Sequence, residues 1–74
     1  MRGRVKVNES LIVDRQAMDR LVEAVRARKA VKATLGVGDF KELTGLSRKF
    51  AVPLLEYLDS QRITRRVGDD RIIL

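Results

Sequence analysis

The chain has 74 residues, which is enough for one small domain and one small hydrophobic core. It contains no cysteine and no histidine, so disulfides, thiolate chemistry, most transition-metal sites and most general-base schemes lose their usual side chains. Sixteen Lys and Arg against ten Asp and Glu give a net charge of +6, which favours a polyanionic partner. We therefore expect a binding domain, not an enzyme, with no metal or cofactor of its own.

The positive charge is concentrated at the two ends of the chain. Residues 1–34 carry a net charge of +5, residues 35–46 carry −1 and residues 47–74 carry +2. The sequence contains no run of 18 apolar residues, and the apolar stretch 11–13 is too short for a signal peptide. The missing membrane and signal segments indicate a cytoplasmic protein with no membrane partner, and we expect it to be a monomer.

The first predicted helix spans residues 14–28. Asp14 is a suitable N-cap, because its carboxylate can accept from the free amides of the first turn. The apolar residues that recur at helical spacing after it are Met18, Leu21, Val22 and Val25. Residues 5–13 alternate only in part and predict at most a weak strand. We therefore expect residues 1–13 to be a lead-in, partly linker or added start, and residues 14–74 to form the domain.

A basic stretch covers the end of this helix and the residues just after it. Its cations are Arg26, Arg28, Lys29 and Lys32. They could form a second anion-binding patch, or they could simply be the solvated end of a helix, where cations are favourable. The second interpretation is the simpler one, and we favour it.

Two further helices are predicted, with a tight turn between them. Leu35 is expected to form a strand of one or two residues. Gly36 can cap the short helix that follows, with Asp39 reaching back in a capping box, and Gly45 can close it in a left-handed conformation.

The longer helix is predicted to begin after Ser47, its N-cap. Phe50, Leu54 and Leu58 form an apolar ridge at a spacing of four residues, and Pro53 is a misfit in the second turn. Aromatic side chains are scarce, and all three are predicted to fill the core: Phe40, Phe50 and Tyr57.

The C-terminal residues predict a β-hairpin. Two β-prone runs, 63–67 and 71–74, flank the turn residues 68–70, which read Gly-Asp-Asp. Two strands alone are marginal in water, so the hairpin must pack on the helices, and we expect Ile63 and Val67 to be among the residues it buries.

This order of elements predicts a winged helix, a mainly α fold in which a three-helix core with a helix-turn-helix is followed by a C-terminal β-hairpin, the wing. A three-helix bundle with a disordered tail is the alternative. It leaves the turn residues between two β-prone runs unexplained.

The start of the longer helix is the first candidate binding site, at Ser47, Arg48 and Lys49. Free amides and the positive end of the helix dipole suit a phosphate. Cations at a helix N-terminus are unfavourable by roughly 0.3–1 kcal/mol, so stability alone would favour Asp or Glu there. We therefore assign Arg48 and Lys49 to binding and not to solvation.

The wing is the second candidate site, at Arg65 and Arg66. Neighbouring residues of a strand point to opposite sides. If Ile63 and Val67 face the core, Arg65 shares their side and Arg66 is the better outward contact. The alternative is an edge strand that carries Arg to prevent pairing with other strands.

The partner is expected to be an RNA hairpin. After Lys49 the longer helix offers only Glu56 and Asp59, so a duplex laid along it would be repelled, whereas a compact loop at its tip would not. A DNA-binding regulator and a protein-interaction winged helix are the rival functions.

Residues 37–59 and 63–69 resemble the last winged-helix domain of bacterial selenocysteine-specific elongation factors. The resemblance rests on Ser-Arg-Lys-Phe-Ala at 47–51, Leu-Leu-Glu-Tyr at 54–57 and Thr-Arg-Arg before the Gly-Asp turn. The family often has a proline where Pro53 stands. At the position of Arg62 the family usually has glycine. This sequence departs from the family pattern there, and the departure bears on the geometry of the turn at the end of the longer helix.

The resemblance implies a domain that binds the messenger RNA hairpin marking a UGA codon for selenocysteine. By position, Ser47, Arg48 and Lys49 match the family's helix contacts, and Arg65 and Arg66 match its wing contacts. The parent protein would bring GTP, selenocysteinyl-tRNA and the ribosome as further partners. This chain would be a fragment of it, since it lacks the G-x-x-x-x-G-K-[ST] phosphate loop of such GTP-binding proteins.

Overall fold

A computed structural model describes residues 3–74 of the chain. Three helices and five short strands follow one another in it. In chain order they are β1 (Arg4–Asn8), β2 (Leu11–Asp14), α1 (Arg15–Arg28), β3 (Thr34–Leu35), α2 (Val37–Thr44), α3 (Arg48–Ser60), β4 (Thr64–Val67) and β5 (Asp70–Ile73). The helix-turn-helix pair α2–α3 and the hairpin β4–β5 confirm the predicted winged helix.

The N-terminal residues form more structure than the weak strand expected over 5–13. Strands β1 and β2 pair antiparallel, and the side chain of Asn8 accepts from the amide of Ser10 to shape their turn. One face of the hairpin packs against the core through Val5, Val7, Leu11 and Val13. The hairpin was missed because its turn region, 8–10, contains no glycine or proline, and because the apolar residues 11–13 form an unbroken run instead of an alternation. The division into a lead-in, 1–13, and a domain, 14–74, stays a prediction about the parent chain.

Helix α1 begins and ends as predicted. A carboxylate oxygen of Asp14, Oδ2, accepts from the amides of Gln16 and Ala17 at 3.0 and 3.3 Å, which confirms the N-cap. Met18 and Val25 are buried on the inner face. The helix therefore packs across the core with its apolar stripe inward.

The short helix α2 has the predicted caps at both ends. The amide of Gly36 donates to Oδ2 of Asp39 at 3.1 Å, and Gly45 closes the helix with a φ of 73°. A left-handed residue costs glycine little, so the chain can turn sharply there into α3. The tight turn makes the start of α3 protrude.

Pro53 lies inside α3 without ending it. The helix is continuous over thirteen residues, and the amide that proline lacks leaves the Lys49 carbonyl without its usual donor one turn later. At the first turn the amides of Phe50 and Ala51 both donate to the carbonyl of Ser47, at 3.0 and 2.9 Å. The carbonyl that loses its donor belongs to Lys49, an exposed residue of the first turn.

Nine buried apolar side chains form one core. All three helices contribute, and the small sheet adds one residue each from β3 and β5. The members are Met18, Val25, Leu35, Phe40, Ala51, Leu54, Leu55, Leu58 and Ile73. In residues 3–74 no helix is long and apolar enough to cross a membrane.

The wing is part of a three-stranded sheet in the order β3-β5-β4. Leu35 pairs with Arg71 as predicted for a very short strand, and Gly68, with a φ of 62°, is the first of two turn residues in the β4–β5 hairpin. The expectation that Val67 is buried is wrong, because Val67 is 50% exposed. Thr64 and Ile73 pair with each other and face the core instead.

Candidate nucleic-acid interface

The first candidate surface is the tip of α3, defined as Ser47, Arg48 and Lys49. All three residues are exposed, and Ser47 has the extended backbone of an N-cap, with φ −75° and ψ 163°. Its hydroxyl makes no capping hydrogen bond, and the first turn contains no acidic residue. The first amides of the helix have no acceptor one turn back. The tip therefore offers a hydroxyl, amides and two cations to the same ligand.

Phe50 extends the tip with an aromatic ring. The ring is 41% exposed, so the prediction that Phe50 fills the core is wrong, and Lys49 Nζ lies 5.7 Å from its centroid. The error is geometric. Each step of four residues turns a helix by about 40° beyond a full circle, so Phe50 lies about 80° around the axis from Leu58. The ridge that begins at Phe50 therefore starts outside the buried face.

An apolar cleft of about 380 Å³ lies beside this ring. It is formed where β2, α1, the end of α2 and the start of α3 meet. Leu11, Leu21, Leu43 and Leu46 line it together with Phe50. An aromatic ring, an apolar wall and adjacent cations are the components that proteins use to stack an unpaired base next to its phosphate.

The second candidate surface is the outer part of the wing, defined as Arg65 and Arg66. Both are exposed, but their assignment to sides was wrong. Arg66 lies opposite the buried Arg71, and so shares the side that faces the helices, whereas Arg65 pairs with the exposed Ile72 on the outer side. Arg66 Nε also donates to the carbonyl of Gly68 at 3.2 Å. Arg65 is therefore the better outward contact.

A buried polar cluster explains the reversed sides. Asp59 accepts from the Thr64 hydroxyl at 2.6 Å through Oδ1 and from Arg71 Nε at 2.9 Å through Oδ2. Thr64 and Arg71 are 2% and 5% exposed. The expected repulsive role of Asp59 on the flank of α3 is also wrong, because its charge is paired. The available sequence signal was that Arg71 and Ile73 are two residues apart on one strand, so that they lie on the same side of the sheet.

The structure does not bring the two candidate surfaces to one end of α3. Ser47 and Asp59 are twelve residues apart, or about 18 Å along the helix axis. Strand β4 starts beside Asp59, through Thr64. The base of the wing therefore lies at the opposite end of α3 from the tip.

The basic stretch at the end of α1 is partly used inside the protein. Arg28 Nη2 lies 3.3 Å from Oδ1 of Asp39, and Arg28 joins the end of α1 to the start of α2. The hydrogen bond from the Gly36 amide lowers the pKa of the Asp39 carboxyl, and the positive charges of Arg28 and Lys32 lower it further.

No cluster of three or more carboxylates that could hold a metal ion occurs within residues 3–74.

Comparisons with known proteins agree on one group of relatives. A family model described as elongation factor SelB, winged helix, matches residues 27–73. The selenocysteine-specific elongation factor of Desulfomicrobium baculatum is 45% identical over 69 residues, which are 93% of this chain and 11% of that protein. The chain therefore spans only a small part of this relative.

Two solved structures share the fold. The mRNA-binding domain of elongation factor SelB from E. coli, in complex with SECIS RNA, has a TM-score of 0.84 and 23% identity, and the match covers 95% of this chain and 58% of that one. A bacterial selenocysteine-specific elongation factor, EF-Sec, has a TM-score of 0.82 and 31% identity, with 96% and 12% covered. At 23% identity the first of these matches shows the shared fold.

Proposed function

The chain belongs to the winged-helix family of elongation factor SelB, and on that premise we propose that it binds the messenger RNA hairpin that directs selenocysteine insertion. The observation that carries the proposal is the tip of α3, where two cations stand against the helix dipole with no acidic residue in the first turn. The E. coli relative, which has the same fold, is in complex with SECIS RNA.

The tip holds the loop end of the hairpin. The hydroxyl of Ser47 and the first amides of α3 donate to a phosphate, and Arg48 and Lys49 neutralise the phosphates beside it. Phe50 stacks on a base that the loop leaves unpaired. Because the cleft beside it is apolar, this contact depends on the shape of the loop more than on charge.

The wing holds the RNA backbone through Arg65, with Arg66 as a second contact. Arg65 and Arg66 are the only charged residues of β4, which suits a phosphate chain because each guanidinium can bind two phosphate oxygens. The two surfaces together can reach phosphates on separate parts of one hairpin. Binding is thus expected to involve about 3–5 phosphates.

Beyond its tip, α3 does not favour a straight duplex. Residues 50–60 contain no Lys or Arg, and Glu56 is exposed on this helix. A DNA duplex along α3 would meet this carboxylate and no cation, whereas a loop that touches only the tip would avoid it. The helix geometry therefore favours an RNA loop over a winged-helix DNA site.

The parent protein carries the remaining activities. The matched relative is a selenocysteine-specific elongation factor about nine times longer than the aligned segment, so GTP binding, selenocysteinyl-tRNA and the ribosome belong to other parts of such a protein. In this proposal the chain is a monomeric, non-catalytic binding domain of a cytoplasmic translation factor. It tethers the factor to the message near the UGA codon.

A fluorescence titration tests the proposal. We expect a selenocysteine-insertion hairpin to bind much more tightly than a scrambled hairpin of equal length or a DNA duplex, with a log–log salt slope of roughly −2 to −4. Equal affinity for all three ligands would refute specific recognition. A slope near zero would refute the phosphate contacts, and tighter binding of the DNA would support the regulator alternative.

A further inference from the structure

One carboxylate joins the wing to α3. The two oxygens of Asp59 are used by different strands, since Oδ1 accepts from Thr64 of β4 and Oδ2 from Arg71 of β5. Both partners are buried, and the Asp59 side chain itself is 24% exposed. The three residues form a joint with short, directional bonds between elements that otherwise pack through aliphatic side chains.

The position of Asp59 is not explained by α3 itself. It lies in the last turn of the helix, where a negative charge meets the negative end of the dipole, and this turn has no basic residue to offset it. Its favourable interactions therefore come from the wing. Asp59 is unfavourable for its own helix, but its carboxylate accepts hydrogen bonds from both strands of the wing. It is therefore placed to fix the angle between α3 and the wing.

The joint lies next to the wing cations in both strands. Thr64 directly precedes Arg65, and Arg71 is the cross-strand partner of Arg66. Residues opposite each other in a sheet have Cβ atoms about 5 Å apart, so two unpaired arginines at this place would repel. The bond to Asp59 draws the Arg71 guanidinium away from Arg66, which lies on the same side of the sheet and is exposed.

We infer that Asp59 is a positioning residue for RNA binding, which sets the direction of Arg65 and Arg66 relative to the tip of α3 without touching the RNA. This inference rests on the proposed function. Asp59 lies outside both candidate surfaces, so it affects the affinity for the hairpin only through the wing cations.

A double-mutant cycle on the 74-residue chain tests the inference. Asp59→Asn keeps the size of the side chain and an acceptor for Thr64 but loses the charge that holds Arg71. We expect it to weaken hairpin binding about five- to tenfold in the native wing, and less than twofold when Arg65 and Arg66 are already alanine. A loss of equal size in both backgrounds would overturn the positioning role.

Two controls separate positioning from general stability. Val25→Ala removes core volume from α1, which contributes no atom to the joint, and below its melting temperature it should leave the affinity unchanged. If it weakens binding as much as Asp59→Asn does, the role of Asp59 is only structural. Should Asp59→Asn prove unfolded, Thr64→Val replaces it in the cycle, and Thr64→Ser, which keeps the hydroxyl, should restore the affinity.

The outcomes for the two proposals differ. A native chain that shows no preference for the hairpin overturns the proposed function, and the positioning role with it. A native chain that binds the hairpin, together with an Asp59→Asn variant of the same affinity, overturns the positioning role alone.

Discussion

The tip of α3 and the wing both present arginine to solvent, but they are built in different ways. At the tip, the cations follow directly from the helix start, since Gly45 turns the chain and Ser47 begins α3. On the wing, the side on which each arginine lies depends on Asp59, which is six residues before Arg65 in sequence and belongs to another element. The tip is therefore a local structure, whereas the wing is set by a tertiary contact.

This difference predicts distinct consequences of mutation. Substitutions at the tip should change binding with little change in stability, because within residues 3–74 the two cations form no ion pair and Lys49 contacts only the exposed ring of Phe50. Substitutions at the base of the wing should change both.

The largest effect is expected at the tip, for Arg48→Ala combined with Lys49→Ala. Loss of two charged contacts should lower hairpin affinity about 30- to 100-fold and make the salt slope less negative by about two. The melting temperature should stay the same or rise slightly, because both cations oppose the helix dipole. Fluorescence titration and thermal unfolding measure the two quantities.

Lys41→Ala is the matched control for the tip. Lys41 is an exposed cation on α2 and belongs to neither candidate surface, so its loss should change affinity less than twofold. A large drop in melting temperature of the tip variant would show instead that Arg48 and Lys49 are structural, and the contrast between tip and wing would disappear.

A smaller effect is expected on the wing, where the two arginines should differ. Arg65→Ala should weaken hairpin binding about tenfold, and Arg66→Ala only about threefold, because Arg66 is partly engaged by the Gly68 carbonyl and faces the helix side. The two single variants are compared by titration at one salt concentration. The reverse order would show that RNA approaches the side of the sheet that carries Arg66.

Much of the fold could be predicted from the sequence because its signals are local. Helix α1 has an acidic N-cap and a regular apolar stripe, and α2 has a capping box and a C-terminal glycine, so both elements were predicted with their ends. The wing turn at Gly68 was equally clear. The tip of α3 followed from the same local logic, since a cap and two cations lie in consecutive positions.

The features that could not be predicted depend on contacts between distant residues. Val67 looks like a core residue by type, yet the pairing of Asp59 with Arg71 puts the other face of the strand inward. Phe50 looks like the first residue of a ridge, yet the rotation of the helix carries it out of the core. That a residue is hydrophobic does not tell whether it is buried here. A polar contact between distant residues decides the side on which Val67 lies, and the rotation of residues around the axis of α3 decides the exposure of Phe50.

The smallest effect is expected where α3 joins the wing, at Arg62. Arg62 has a φ of 60°, and the bonds from its amide to the Asp59 carbonyl and from the Ile63 amide to the Leu58 carbonyl form the helix end in which glycine is usual. Arg62→Gly should therefore relieve left-handed strain and stabilise the domain by about 1 kcal/mol, a rise of roughly 4–8 °C in melting temperature.

Arg62→Ala distinguishes the effect of the left-handed backbone on stability from the effect of the guanidinium charge. It keeps the left-handed strain and removes the guanidinium, so it should give none of the gain seen with glycine. Hairpin affinity should change less than twofold in Arg62→Gly, because the turn geometry that leads into β4 is preserved and Arg62 belongs to neither surface. An equal gain from alanine would mean that charge limits stability here. A loss of affinity in Arg62→Gly alone would mean that a stiff turn, in addition to Asp59, holds the wing in its binding orientation.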